Sequence, residues 1–130
     1  MLIITIRTDK PEAEIGLYDD QTQLTYYTWQ AHRELAETIH LKLRDMLSEQ
    51  HKELSDLGGI AVYKGPGSFT GLRIGITVAN ALAYSLQLPI ISKEDPQWLE
   101  QAINDLLAGK TDTVALPEYG ALPHITPQKK

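Results

Sequence analysis

The residues of this chain best suited to chemistry lie in one run, Tyr63-Lys64-Gly65-Pro66-Gly67-Ser68-Phe69-Thr70-Gly71-Leu72-Arg73-Ile74-Gly75, between an apolar stretch and a helix-like segment. Glycines and hydroxyls ahead of a helix are what a phosphate cradle uses, because backbone N–H groups can approach the anion and the helix N-terminus attracts it. The spacing departs from the known cradles. A dinucleotide fingerprint needs G-x-G-x-x-G, whereas Gly65, Gly67 and Gly71 read G-x-G-x-x-x-G. A P-loop needs Gly-Lys-Ser/Thr, and here Leu72 follows Gly71. Pro66 removes one backbone donor. It also stands where a nucleophile elbow would place a glycine ahead of Ser68. The spacing argues against direct nucleotide binding by this loop.

The other candidates are weaker. Asp19-Asp20 and Glu94-Asp95 resemble paired carboxylates, but turn and helix-cap roles account for them. His32, His40, His51 and His124 show no H-E-x-x-H or comparable metal spacing. The absence of cysteine excludes disulfides, thiolate metal sites and Cys nucleophiles. Trp29, Trp98 and the six tyrosines are scattered, with no stacking platform for bases. A net charge of -5 argues against a large nucleic-acid face, and Gln128-Lys129-Lys130 reads as a solvated tail. The nineteen uncharged residues between Arg73 and Lys93 are broken by Asn80, Ser85, Gln87 and Pro89, so no membrane span is expected. MLIITIRTDK is charged too early for a secretory signal, which points to the cytoplasm.

The elements that must carry these residues follow from periodicity. Residues 2–7 read as a buried strand, Ala13 to Tyr18 as a second and Leu24 to Trp29 as a third, an antiparallel meander. Over 31–50 the period becomes helical, with Leu35, Ala36, Ile39, Leu43, Met46 and Leu47 inside an arc of about 120°. His32 falls in that arc as a packed or capping residue, while Leu41 sits on the charged side. Gly59 to Lys64 is a short strand, the segment from about Thr70 to Leu86 a helix, and Pro89 to Ile91 a strand. Asp95 can cap a further helix opened by Pro96 and closed by Gly109, with Trp98, Leu99, Ala102, Ile103, Leu106 and Leu107 on its apolar face. Right-handed crossovers then give an α/β fold, a five-stranded mixed sheet with packed helices, plus a short C-terminal helix and tail.

The helix at 70–86 carries an unusual pattern. Gly71, Gly75, Ala79 and Ala83 recur at intervals of four, and Leu72, Ile74, Ile76, Val78, Leu82 and Leu86 surround them in an apolar arc of about 220°. A glycine inside a helix costs about 1 kcal/mol relative to alanine, so two on one stripe imply a close backbone approach. That approach can come from this chain's own sheet or from a second protein.

At these residues the chain resembles a known family. GPGSFTGLRIGITVANALAYSLQLPI closely resembles the signature of TsaB, the bacterial protein involved in forming threonylcarbamoyladenosine at position 37 of tRNA. His32 at the start of the first helix, the N-terminal strand pair and the Ala-Val-Tyr strand extend the likeness across residues 1–92. The resemblance implies a single actin-like ATPase (ribonuclease H-like) lobe over 1–92, with 93–130 a helix and Pro-rich tail in place of a second lobe. Leu116-Pro117-Glu118-Tyr119 is similar to the family's C-terminal tail. It further implies a non-catalytic scaffold that pairs with TsaD, the metal- and nucleotide-binding paralogue, through helices 31–50 and 70–86. His32, Leu35, Ile39, Leu41, Leu72, Arg73, Gly75, Ile76, Ala79, Asn80 and Ala83 would then form the partner interface. Gly65, Pro66, Gly67, Ser68, Phe69, Thr70 and Gly71 would form the motif loop leading into it, with Ser68 or Thr70 as its cap. No metal or cofactor is expected on this chain, ATP and metal belonging to the partner subunits. The ATPase TsaE is a further partner of the family, and tRNA contact is expected to be indirect or weak.

One departure bears on chemistry. Actin-like ATPases usually carry an Asp on the first hairpin that helps bind metal–phosphate, and the matching position here is Arg7 in Ile6-Arg7-Thr8, with Asp9 two residues on. A cation there could attract phosphate but cannot ligate Mg²⁺. TsaD-like proteins hold their metal through paired histidines on a helix, and no such pair is present. The alternatives are an ATP-binding or hydrolytic enzyme of the actin-like superfamily, including the older peptidase reading, and a self-associating homodimer when TsaD is absent.

Overall fold

The computed structural model describes residues 1–67, 69–94, 96–112 and 115, the side chains of His32 and Phe69 excepted. Strands β1 (Leu2–Arg7), β2 (Glu12–Asp19) and β3 (Thr22–Gln30) come first. They are followed by α1 (Leu35–Glu49), β4 (Gly59–Tyr63), α2 (Phe69–Leu86), β5 (Ile90–Lys93) and α3 (Trp98–Leu107). The sheet order is β3-β2-β1-β4-β5, with β1–β2 and β2–β3 antiparallel and β1–β4 and β4–β5 parallel. This is the mixed five-stranded sheet the periodicity implies.

The differences from expectation lie at element ends. Helix α1 begins at Leu35 because His32–Glu34 form a 3-10 turn first. Strand β3 runs to Gln30, and β5 is displaced toward Lys93, since Pro89 has no N–H for a ladder. Residues 96 and 97 form a turn, so α3 starts at Trp98, and Asp95 lies outside the described residues. Gly109, at φ +83, closes α3 as expected.

Successive residues of a strand point to opposite faces, and β1 shows which helix covers each. The Arg7 guanidinium lies 4.1 Å from the centroid of the Tyr63 ring, which meets Trp98 of α3 edge-on at 5.7 Å. Thr8 points the other way, donating to the Gly71 carbonyl of α2 at 2.7 Å. Helices α1 and α2 therefore share one face and α3 covers the other. Ile4, Ile6, Ile15, Ile60 and Val62 are buried in the sheet, and Ile39, Met46, Leu72, Trp98 and Leu106 belong to the same continuous core. Each such side chain contributes roughly 1.5–3 kcal/mol by leaving water.

Candidate partner-docking surface

The small-residue stripe of α2 faces inward. Gly75 is packed so tightly against Thr8 that a Cβ would fall on the threonine hydroxyl and methyl, and Ala79 and Ala83 are buried alongside. The close approach inferred from helical glycines is therefore made at Gly75 by this chain's own Thr8, just past the end of β1. Leu35, Ile39, Leu72, Gly75, Ile76, Ala79 and Ala83, expected at the interface, are buried within this chain. They were the centre of each apolar arc, and one sheet is enough to cover that centre. Asn80 is occupied too: its Nδ2 donates to the Ala115 carbonyl at 3.0 Å and its Oδ1 accepts from the Ala115 N–H at 2.9 Å. Leu41 and Arg73 are exposed as expected, and the side chain of His32 lies outside the description.

What reaches the surface is the edge of each arc. Ala36 and His40 of α1 face Thr70, Arg73, Ile74, Thr77 and Val78 of α2 across a groove of about 370 Å³. It continues past His40 into a wider depression of about 660 Å³ lined by Leu43, Leu47, Leu54 and Leu82. At the other end, Lys10, Pro11 and Arg33 close it. In the sequence Ile74 falls among the apolar residues around the stripe, Thr77 among the polar residues outside it, and Ala36 inside the apolar arc of the first helix. The signal for them was their place at the margins of two arcs whose helices lie side by side, which one helix alone does not reveal.

The motif loop has a second inward job. Gly65 takes φ 114 and the Gly65–Pro66 peptide is cis. Gly67 rests on the β1–β2 turn, where a Cβ would strike Asp9. Asp9 itself is 9% exposed and accepts two bonds from Arg7, Nε to Oδ1 at 2.8 Å and Nη2 to Oδ2 at 3.2 Å. That forked pair, capped by Tyr63, holds the Arg7 guanidinium charged even more firmly than usual, chiefly through the hydrogen bond to Asp9. Ser68, the Phe69 side chain and Leu116-Pro117-Glu118-Tyr119 lie outside the described residues. Among the described residues, no three His, Asp or Glu side chains are grouped to hold a metal ion, and no helix is long and apolar enough to cross a membrane.

A βββαβαβα chain with sheet order 3-2-1-4-5 and helices on both faces is a ribonuclease H-like lobe. The solved RuvC of T. thermophilus bound to a Holliday junction shares it at a TM-score of 0.53 and 13% identity over 92% of this chain, a likeness of fold alone. A family model described as "TsaD: tRNA N6-adenosine threonylcarbamoyltransferase" matches residues 29–103, and the chain belongs to that family. It is 35% identical over 91 residues to the tRNA threonylcarbamoyladenosine biosynthesis protein TsaB of Escherichia coli, covering 70% of this chain and 39% of that protein. The Bacillus subtilis TsaB is 34% identical over 69% of this chain and 39% of its own length. YeaZ from Pseudomonas aeruginosa superposes with a TM-score of 0.67 at 29% identity, over 77% of this chain and 49% of that one. The chain thus spans 39% of the length of each of these curated relatives.

The nucleotide and metal that the actin-like resemblance implies can be tested against the residues present. The strand-end position that would carry a metal-binding carboxylate holds Arg7, and the neighbouring carboxylate, Asp9, has both oxygens engaged by it. Gly67 fills the space above. These residues do not fit a metal–phosphate group.

Proposed function

We propose that this chain acts as a non-catalytic partner lobe in the formation of threonylcarbamoyladenosine on tRNA, pairing with TsaD through the groove between α1 and α2. The observation that carries this reading is the groove itself. It has an apolar floor of Ala36, Ile74, Val78 and Leu82 and lies between the two helices that the family resemblance assigns to pairing. The relatives named TsaB supply the pathway, and the Arg7–Asp9 pair supports the non-catalytic role and the assignment of ATP and metal to partner subunits. A cytoplasmic location, and contact with TsaE where that ATPase is present, follow from the same reading.

Coexpression with the TsaD of the same organism, followed by size-exclusion chromatography at near-physiological salt, tests it. A single co-eluting peak is expected, and two separate peaks overturn the pairing. The match to the TsaD family favours one other reading, a nucleotide-binding enzyme lobe. Titration with Mg²⁺–ATP by calorimetry separates the two, because tight binding by this chain alone would require the carboxylate that Arg7 replaces.

A further inference from the structure

Every residue of β3, Thr22–Gln30, is uncharged, and none is proline or glycine. Strands at the rim of a sheet ordinarily carry lysine, proline or a bulge against pairing with another chain, because their outer N–H and C=O groups are open to one. Among the described residues β3 pairs on one side alone, with β2. Ala31 donates to the Pro11 carbonyl at 2.9 Å, and Gln30 stands opposite Glu12. Residues of an antiparallel pair alternate between bonding across it and turning their backbone groups away. Counted back from Ala31, Trp29, Tyr27 and Thr25 bond to β2, and Gln30, Thr28 and Tyr26 offer their N–H and C=O groups outward.

We infer that β3 pairs antiparallel with β3 of a second copy of this chain, about a two-fold axis at Tyr26, so that two five-stranded sheets join into one. Full overlap of the nine residues fixes this register, with Thr22 facing Gln30 and Tyr26 facing its counterpart. Outward-turned Tyr26 then meets outward-turned Tyr26, as an antiparallel ladder requires, and a slip by one residue does not satisfy that. Thr25 meets Tyr27 and Gln23 meets Trp29, cross-strand pairs of the kind that stabilise sheets. Charge favours the second copy over an arbitrary strand. Asp19 and Asp20, both exposed, mark one end of the strand. Arg33, exposed and without an ion pair among the described residues, marks the other. The antiparallel arrangement brings each Arg33 to the other copy's carboxylates, so opposite charges meet at both ends of the seam. This seam is separate from the α1–α2 groove, whose described lining includes no residue of β3.

Sedimentation equilibrium of the isolated chain tests it over about 5–500 µM, where wild type should pass from monomer to dimer. Amide hydrogen exchange locates the contact. At the high end Tyr26, Thr28 and Gln30 should exchange about tenfold more slowly than at the low end, while Tyr27 and Trp29 stay slow throughout. Thr28→Pro removes an outward N–H without touching the β2 ladder, and Thr28→Lys supplies the charge the edge lacks. Each should raise the dimer Kd about tenfold with native circular dichroism retained, and the lysine variant decides if proline lowers the urea midpoint. A monomer at every concentration overturns the inference. So does a dimer in which those three amides exchange as fast as in the monomer. A dimer lost in Thr77→Trp but kept in both β3 variants puts the second copy on the helices and overturns it too. Protection of the three amides that appears only when another protein is added, TsaD included, makes a foreign strand the occupant and overturns it as well.

Discussion

At the scale of single residues, the informative positions are those where a side chain or its absence is dictated by one neighbour. Gly75 is the sharpest. Alanine there has to push Thr8 aside and disturb its bond to the Gly71 carbonyl, so Gly75→Ala should lose about 1–3 kcal/mol in urea unfolding, and leucine more. Tyr84, 88% exposed on the same helix, is the control, and its alanine variant should stay within about 0.5 kcal/mol of wild type. Asp105 gives a pH signature. The hydrogen bond from Lys93, at 2.9 Å, holds its carboxyl below the usual carboxylate range. A depressed folded-state value stabilises the protein above the unfolded carboxylate range and is lost as pH falls through the folded value. Asp105→Asn should therefore be less stable than wild type at neutral pH and converge with it in acid. Because the pair is partly solvated, the gap should be under about 1 kcal/mol in urea titrations at successive pH values.

At the scale of elements, α2 shows what was legible and what was not. Its existence, extent and small-residue stripe can be read directly from Thr70 to Leu86, whereas Leu72, Ile76 and Ala79, expected at an interface, prove buried within this chain. The direction of the stripe cannot be read in that way. A wide apolar arc says that two surfaces are covered but not which belongs to another molecule, and Thr8, which settles it, is distant in sequence. For the same reason Asn80 reads as an interface residue until Ala115 is found bonded to both ends of its amide. Under the proposed pairing, the line that would face a partner is the seam that α2 makes with α1. A bulky residue in that seam should block docking while leaving the core untouched. Thr77→Trp, at an exposed groove position, is expected to abolish co-elution with TsaD and to leave the urea midpoint unchanged.

At the scale of the whole molecule, the lobe is held from both sides of its sheet. Trp98 and Leu106 bring α3 into the same core as α1 and α2, with Leu106 pressed against Gly59 and Trp98 against Tyr63. Trp98→Ala should cost about 3–5 kcal/mol, and the loss should appear as one cooperative transition, with fluorescence and circular dichroism coincident. The pattern of alternating strands and helices made this layering legible, but the segment after α3 gave little sign of its role. Thr111 Oγ1 accepts the Ile90 N–H at 3.0 Å, Asp112 Oδ2 accepts the Ser92 N–H at 2.8 Å, and the Asp112 N–H returns a bond to the Ile90 carbonyl at 2.7 Å. The outer rim of β5 is thereby sealed against intruding polypeptide. Among the described residues, the sheet is left with a single growing side, the nine-residue rim of β3, and strand addition from any other molecule, whether specific recruitment or unwanted fibre formation, would begin there.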